Sequence, residues 1–194
     1  MRIARAAVLA CALLVASART AAAQAREGRA CFQPQPMPMC RSFWVTEFGL
    51  QYYLSQPPGV NNQRRYQVIW ELGWMRNRTP GDAVGGSIFI ATNDHVHRSG
   101  VRARYRRWIG DETSVDISPA LIVFQSSENL EVRAELGAAL QAAVSYHDWL
   151  GLTAQLEAAS GGVRLQTGFR LGSYPGAAAG VGLPLVALLA GDDS

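Results

Sequence analysis

The stretch LEVRAELGAALQAAVSYH, residues 130–147, constrains the fold most. From Leu130 to Tyr146 every even position is apolar, while the odd positions include Glu131, Arg133, Glu135, Gly137, Gln141 and Ser145. A β-strand sends successive side chains to opposite faces. The pattern therefore predicts one strand across the whole stretch, far longer than the usual run of about 5–6 residues. One of its faces is purely apolar and the other is charged.

The same period of two recurs along the chain. It is clear in 42–55, where Trp44, Phe48, Leu50, Tyr52 and Leu54 oppose Glu47, Gly49 and Gln51. In 64–76 it sets Tyr66, Val68, Trp70, Leu72 and Trp74 against Gln67, Glu71 and Gly73. Weaker or shorter versions run through 83–94, 99–109, 113–125, 149–159 and 163–174. With the opening stretch this makes eight strand candidates, separated by turn-rich segments such as SQPPGVNNQ, NRTPGD and GDE. Short connections between consecutive long strands imply antiparallel neighbours. Eight of them close naturally into an up-and-down barrel, so the expected fold is an all-β, eight-stranded antiparallel barrel.

Two barrels fit this alternation. A soluble barrel turns its apolar face inward and could bind an apolar ligand. A membrane barrel turns that face to lipid and encloses the polar one. The glycines decide for the membrane barrel, because Gly49, Gly73, Gly85, Gly137, Gly151, Gly168 and Gly172 all share the polar face. An eight-stranded lumen is just wide enough for side chains, and bulky residues there require small neighbours. Strand glycine on a solvated face only weakens the strand. The charges agree. Glu47, Glu71, Asp116, Glu131, Glu135 and Glu157 balance Arg102, Arg104, Arg106, Arg133, Arg164 and Arg170 on the polar face, as enclosed charges must. These twelve residues form the expected lumen charge network.

The chain's ends set its compartment. Arg2 and Arg5 precede the apolar run AAVLACALLVA and the small-residue stretch ARTAAAQA, so residues 1–23 read as a bacterial secretory signal. Without them the chain has 15 arginines and 15 acidic residues. The apparent basic balance belongs to the leader and implies no nucleic-acid partner. Residues 24–41 are a proline-rich segment containing Cys31 and Cys40, which an exported protein is expected to pair as a disulfide. Residues 42–174 carry the barrel, and 175–194 form an apolar tail too short to span a bilayer as a helix.

Signal, strand number, alternating pattern and polar lumen together resemble the small eight-stranded outer-membrane barrels of the OmpA/OmpX type. The resemblance covers about residues 42–174. It implies an outer-membrane location, contact with membrane lipids and lipopolysaccharide, and a structural or envelope-associated role. The chain departs from that type in continuing for twenty residues after Tyr174. The alternative location is the periplasm or the exterior.

Chemistry-bearing motifs are few. In HVHRSG, His97 and Ser99 lie two apart and share a strand face. With Glu112 or Asp111 as the acid they would form an acyl-transfer set, faintly similar to the His-x-Ser pair of the outer-membrane lipid A deacylases. The longer motif around that pair is absent, so the stretch reads as a polar hairpin turn and no enzyme activity is expected. His95 and His97 also have the spacing of a metal pair, but no third ligand accompanies them. No metal and no cofactor are expected.

Overall fold

A computed structural model of the chain describes residues 30–32, 34–35, 39–55, 65–93, 96–127, 132–133, 136–159 and 162–180. The leader 1–23, Glu131, Glu135 and the tail from 181 onward lie outside them, as does the side chain of Arg133.

Among the described residues ten strands follow in chain order: β1 Ala30–Cys31, β2 Ser42–Ser55, β3 Tyr66–Thr79, β4 Asp82–Thr92, β5 Val96–Ile109, β6 Thr113–Ser127, β7 Val132–Arg133, β8 Gly137–Tyr146, β9 Leu150–Ala159 and β10 Gly162–Leu171. Eight of them, β2 to β6 and β8 to β10, pair antiparallel with their sequence neighbours. β10 then pairs with β2, which closes the sheet into a barrel. β1 adds in parallel to β2, and β7 pairs only with the end of β6.

Both described chain ends emerge at one mouth of the barrel, here the terminal mouth, together with the short turns at 80–81, 110–112 and 147–149. Gly110 takes a left-handed φ of 69° in one of these turns. His147 and Asp148 take 50° and 58° in another, the left-handed region that hairpin loops commonly use. The opposite mouth, here the loop mouth, carries the remaining connections.

The single strand expected over 130–147 is broken into β7 and β8. Arg133 pairs with Gln125, but Gly137 pairs with Ile122, so the registers on the two sides of 134–135 differ by one residue. The ladder slips by one residue, although the apolar alternation runs on unbroken. Such a slip exchanges the two faces of a strand. The 163–174 candidate ends at Leu171, and 173–180 form a short helix instead.

Polarity across the wall is inverted relative to a soluble protein. Leu152, Val163, Ile88 and Leu121 point outward and are 56–71 % exposed. Arg106, Asp116 and Glu157 point inward and are at most 2 % exposed. The expected alternative of an apolar-lined soluble barrel fails on this point: its ligand-binding face is the outer one here.

Candidate functional site

The candidate site is the lumen. Strand alternation sends one side chain in two to the interior, and the register sets their levels. β5 supplies Arg98, Arg102, Arg104 and Arg106, all at most 6 % exposed. Arg104 sits at the centre. Its Nη1 donates to Glu71 Oε1 at 2.7 Å, and its Nη2 donates to Glu47 Oε1 and Asp116 Oδ2, each at 2.8 Å. Arg106 grips Asp116 in the two-pronged geometry that suits guanidinium and carboxylate, from Nε at 2.6 Å and Nη2 at 2.8 Å. Arg170 of β10 joins Glu47 at 3.0 Å and also donates to Asp116 and Ser145.

Arg102 extends the network toward the loop mouth. It donates to Glu71 at 2.6 Å, to Gln141 at 2.7 Å and to Gln155 at 3.1 Å. Ser87 of β4 donates its hydroxyl to Glu71. A second group lies beyond. Glu157 accepts from Arg98 at 2.8 Å, from Arg164 at 3.4 Å and from Gln166 at 3.1 Å, and Gln67 links Gln166 to Gln51 and Tyr53. All eight barrel strands contribute at least one side chain to this web.

Of the twelve charges expected in the lumen, the structure places nine in these two groups: Glu47, Glu71, Arg102, Arg104, Arg106, Asp116, Glu157, Arg164 and Arg170. Glu131, Arg133 and Glu135 are the other three. Arg98 and Asp148 are additions. Arg98 shares the parity of Arg102, and beginning the strand at Ser99 hid it. Asp148 lies in a turn, where alternation says nothing; it accepts from Arg106 at 3.2 Å and from Ser114 at 3.1 Å. Burial pushes its carboxyl up to about 6, against the pull of Arg106.

Apolar side chains fill two further parts of the lumen. Phe43, Val45, Met75, Ala83 and Trp108 fill the β2–β5 side of the terminal mouth, with Cys31 packed against them. Ile69, Phe89, Ala91, Ala120, Ile122 and Ala139 fill one side toward the loop mouth. A void of about 20 Å³ for a water-sized sphere lies between Glu47, Glu71, Arg102, Gln141 and Thr153. That is room for about one or two water molecules, and the charged side chains around it are buried.

Cys31 and Cys40 are bonded. Asn77 of β3 holds their loop at the terminal mouth by donating to the carbonyls of Gln35 at 2.6 Å and Cys40 at 2.7 Å. Phe32 stacks on Tyr174 at 4.7 Å, which joins this loop to the 173–180 helix. The helix lies on the outer wall: Thr46 donates to the carbonyl of Ser173 at 2.8 Å, and Gly180 abuts the indole of Trp70.

The His97, Ser99 and Glu112 set is not brought together. His97 and Ser99 lie on the outer face of β5 near the loop mouth, with His97 Nδ1 2.7 Å from Thr92 Oγ1. Glu112 and Asp111 lie in the turn at the other end of the same strand, and Glu112 stands 3.6 Å from His147. A strand of this length, at about 3.3 Å per residue, keeps the acid roughly 40 Å away.

A closed wall, apolar outside and ionic within, defines a β-barrel of the outer-membrane type. The fold is similar to designed transmembrane β-barrels, at 10 % identity over 72 % of this chain and 98 % of that one, with a TM-score of 0.37. It is similar to Ail, the attachment invasion locus protein of Yersinia pestis, at 14 % identity over 66 % and 98 %, with a TM-score of 0.36. It is also similar to a loop-deleted OmpT, an outer-membrane protein of Vibrio cholerae, at 13 % identity over 66 % and 48 %, with a TM-score of 0.30. No family model and no curated protein matches the sequence.

Proposed function

We propose that this chain spans the bacterial outer membrane as a solid barrel and serves the envelope structurally, as neither a pore nor an enzyme. The observation that carries this reading is the inverted polarity of the wall. An outer surface of exposed leucine, isoleucine and valine costs too much free energy in water to persist there. In a bilayer the same surface is matched to its solvent, and the closed sheet leaves no backbone edge unpaired. The filled lumen supports a structural role: the ion web and the two apolar clusters occupy the interior, and the void beside Arg102 has room for about one or two water molecules.

In this reading residues 1–23 direct export, 24–41 form a disulfide-held segment at the periplasmic mouth, and 175–194 follow the barrel as an apolar tail. The loop mouth faces lipopolysaccharide. The test is refolding of the mature chain into phospholipid vesicles. Stable insertion, a heat-modifiable gel shift and no stepwise conductance in planar bilayers are expected. A chain that stays in the aqueous fraction, or one that opens discrete channels, overturns the proposal.

A further inference from the structure

Among the described strand residues, outward-facing arginines occur in one sector of the wall. On β3, Arg76 and Arg78 follow Trp74 with outward parity, and on β5 Arg107 does the same after Tyr105. All three are exposed and all lie at the terminal mouth. The carboxylate of Asp82 is in register with Arg107. It is already held by the Thr79 hydroxyl at 2.6 Å and by Arg78 at 3.5 Å. Asp111 and Glu112 lie beyond Ile109 in the turn. No side-chain ion pair or hydrogen bond holds Arg76 or Arg107 among the described residues.

These two arginines frame one patch. Arg76 pairs across the sheet with Val84, and Val84 pairs with Tyr105, two residues before Arg107. Two strand spacings sideways and two residues along place their Cα atoms roughly 12 Å apart. Two long side chains can close that distance on a single headgroup. One level further into the wall, Trp44 and Trp74 pack edge to face at 4.8 Å, and beside Trp74 lie Gly86 and Ala103. The patch thus carries an aromatic pair and a shallow apolar strip on the bilayer side, and unpaired guanidinium groups on the water side. Tryptophan prefers the membrane–water boundary, which sets Arg76 and Arg107 at the depth of lipid phosphates.

We propose that Arg76 and Arg107 form a binding site for the headgroup of an anionic phospholipid in the leaflet at the terminal mouth. The proposal rests on the bilayer-spanning reading above and adds a lipid preference to it. Guanidinium binds phosphate through paired hydrogen bonds as well as charge. A net negative headgroup gains from both cations, while a zwitterionic one carries its own compensating ammonium.

The test uses the mature chain reconstituted into vesicles of equal phosphatidylglycerol and phosphatidylcholine, with retained lipids counted by native mass spectrometry. The unmodified chain should retain phosphatidylglycerol over phosphatidylcholine by about fivefold or more, since one arginine near an anionic surface is worth about that factor. Arg76→Gln/Arg107→Gln should bring the ratio to within about twofold of unity with the heat-modifiable shift intact. Arg65→Gln, at the other mouth, should leave the preference in place. No preference in the unmodified chain, a preference that survives the double substitution, or an equal loss with Arg65→Gln overturns the site. A chain that fails to enter pure phosphatidylcholine vesicles refutes the bilayer reading; one that enters without lipid preference refutes this proposal alone.

Discussion

Arg170 Nη1 lies 3.0 Å from Glu47 Oε2, and this pair ties the last strand of the barrel to the first across the closing seam. Both groups are buried, and each has further partners: Glu47 also accepts from Arg104, and Arg170 also donates to Asp116. A buried ion pair repays its desolvation only when such additional bonds are complete. In this web the Nε atoms of Arg98, Arg102 and Arg104 have no partner among the described residues, so breaking the seam pair should cost more than the intact pair contributes.

Removing one partner of that seam should be costly. Glu47→Leu leaves Arg170 and Arg104 short of a carboxylate and should destabilise by about 3–5 kcal/mol. Arg170→Leu should cost a similar amount. The double variant should lose less than the sum, with a coupling of about 0.5–3 kcal/mol. Urea unfolding in detergent micelles measures all three, and additive losses would mean that the two side chains act independently.

Glycine sites on the lumen face should differ in a defined order. A Cβ on Gly168 would lie 2.0 Å from the Leu50 carbonyl oxygen and 2.7 Å from Gln51 Cα, backbone atoms that cannot step aside. Gly168→Ala should destabilise by about 1–3 kcal/mol. At Gly137 the nearest atoms stand 3.3 Å away and belong to Ala158, Ala159 and Ile122, so alanine there should cost less than at Gly168. Gly137→Trp should overpack the apolar sector. If the polar face met water, Gly137→Trp would stay within about 0.5 kcal/mol, whereas the backbone clash at Gly168 would remain. Unfolding midpoints report the order.

Asp148 should give the barrel a pH dependence of unusual sign. Its carboxyl keeps a proton up to about 6 in the folded state, against an ordinary value of 3.8 in the unfolded chain. The folded state binds the extra proton between these values, so this contribution is complete below about pH 4 and lost as pH rises through about 6. Asp148→Asn keeps a residue suited to the left-handed turn and removes the titration. Relative to the unmodified chain it should gain up to about 3 kcal/mol between pH 4 and pH 7. A constant difference between the two chains over that range would refute the assignment.

The N-terminal loop should depend on Asn77 as well as on its disulfide. Asn77→Ala strips hydrogen bonds from the carbonyls of Gln35 and Cys40 and should cost about 1–3 kcal/mol. Reduction of Cys31–Cys40 opens a short loop and should cost about 2–3 kcal/mol at most. Limited proteolysis should cut near residue 35 faster in Asn77→Ala even with the disulfide intact. Equal cleavage rates would mean that the disulfide alone holds the loop.

Strand number, pairing order and the inward face were legible because alternation is a local property, and Glu71 or Arg104 declares its face from its immediate neighbours. The break between Arg133 and Gly137 was not legible. A one-residue slip against β6 changes pairing without disturbing the alternation, so only the partner strand reveals it. Arg98 could have been found by extending the Arg102 parity four residues back. Asp148 could not, because a turn residue has no face until the hairpin forms. Phe43, Met75 and Trp108 were missed for another reason. They share the polar face at the terminal mouth, where the lumen is filled by apolar side chains and the rule of polar inside stops holding.

The central claim is that the apolar face meets lipid. Leu152, 71 % exposed on the outer wall of β9, tests it most directly. A fluorophore on Leu152→Cys, with the disulfide intact, can be examined in vesicles whose acyl chains carry bromine. The account predicts strong quenching by the brominated chains and almost none by aqueous iodide. Quenching by iodide with no effect of the brominated lipid would place this face in water and contradict the account.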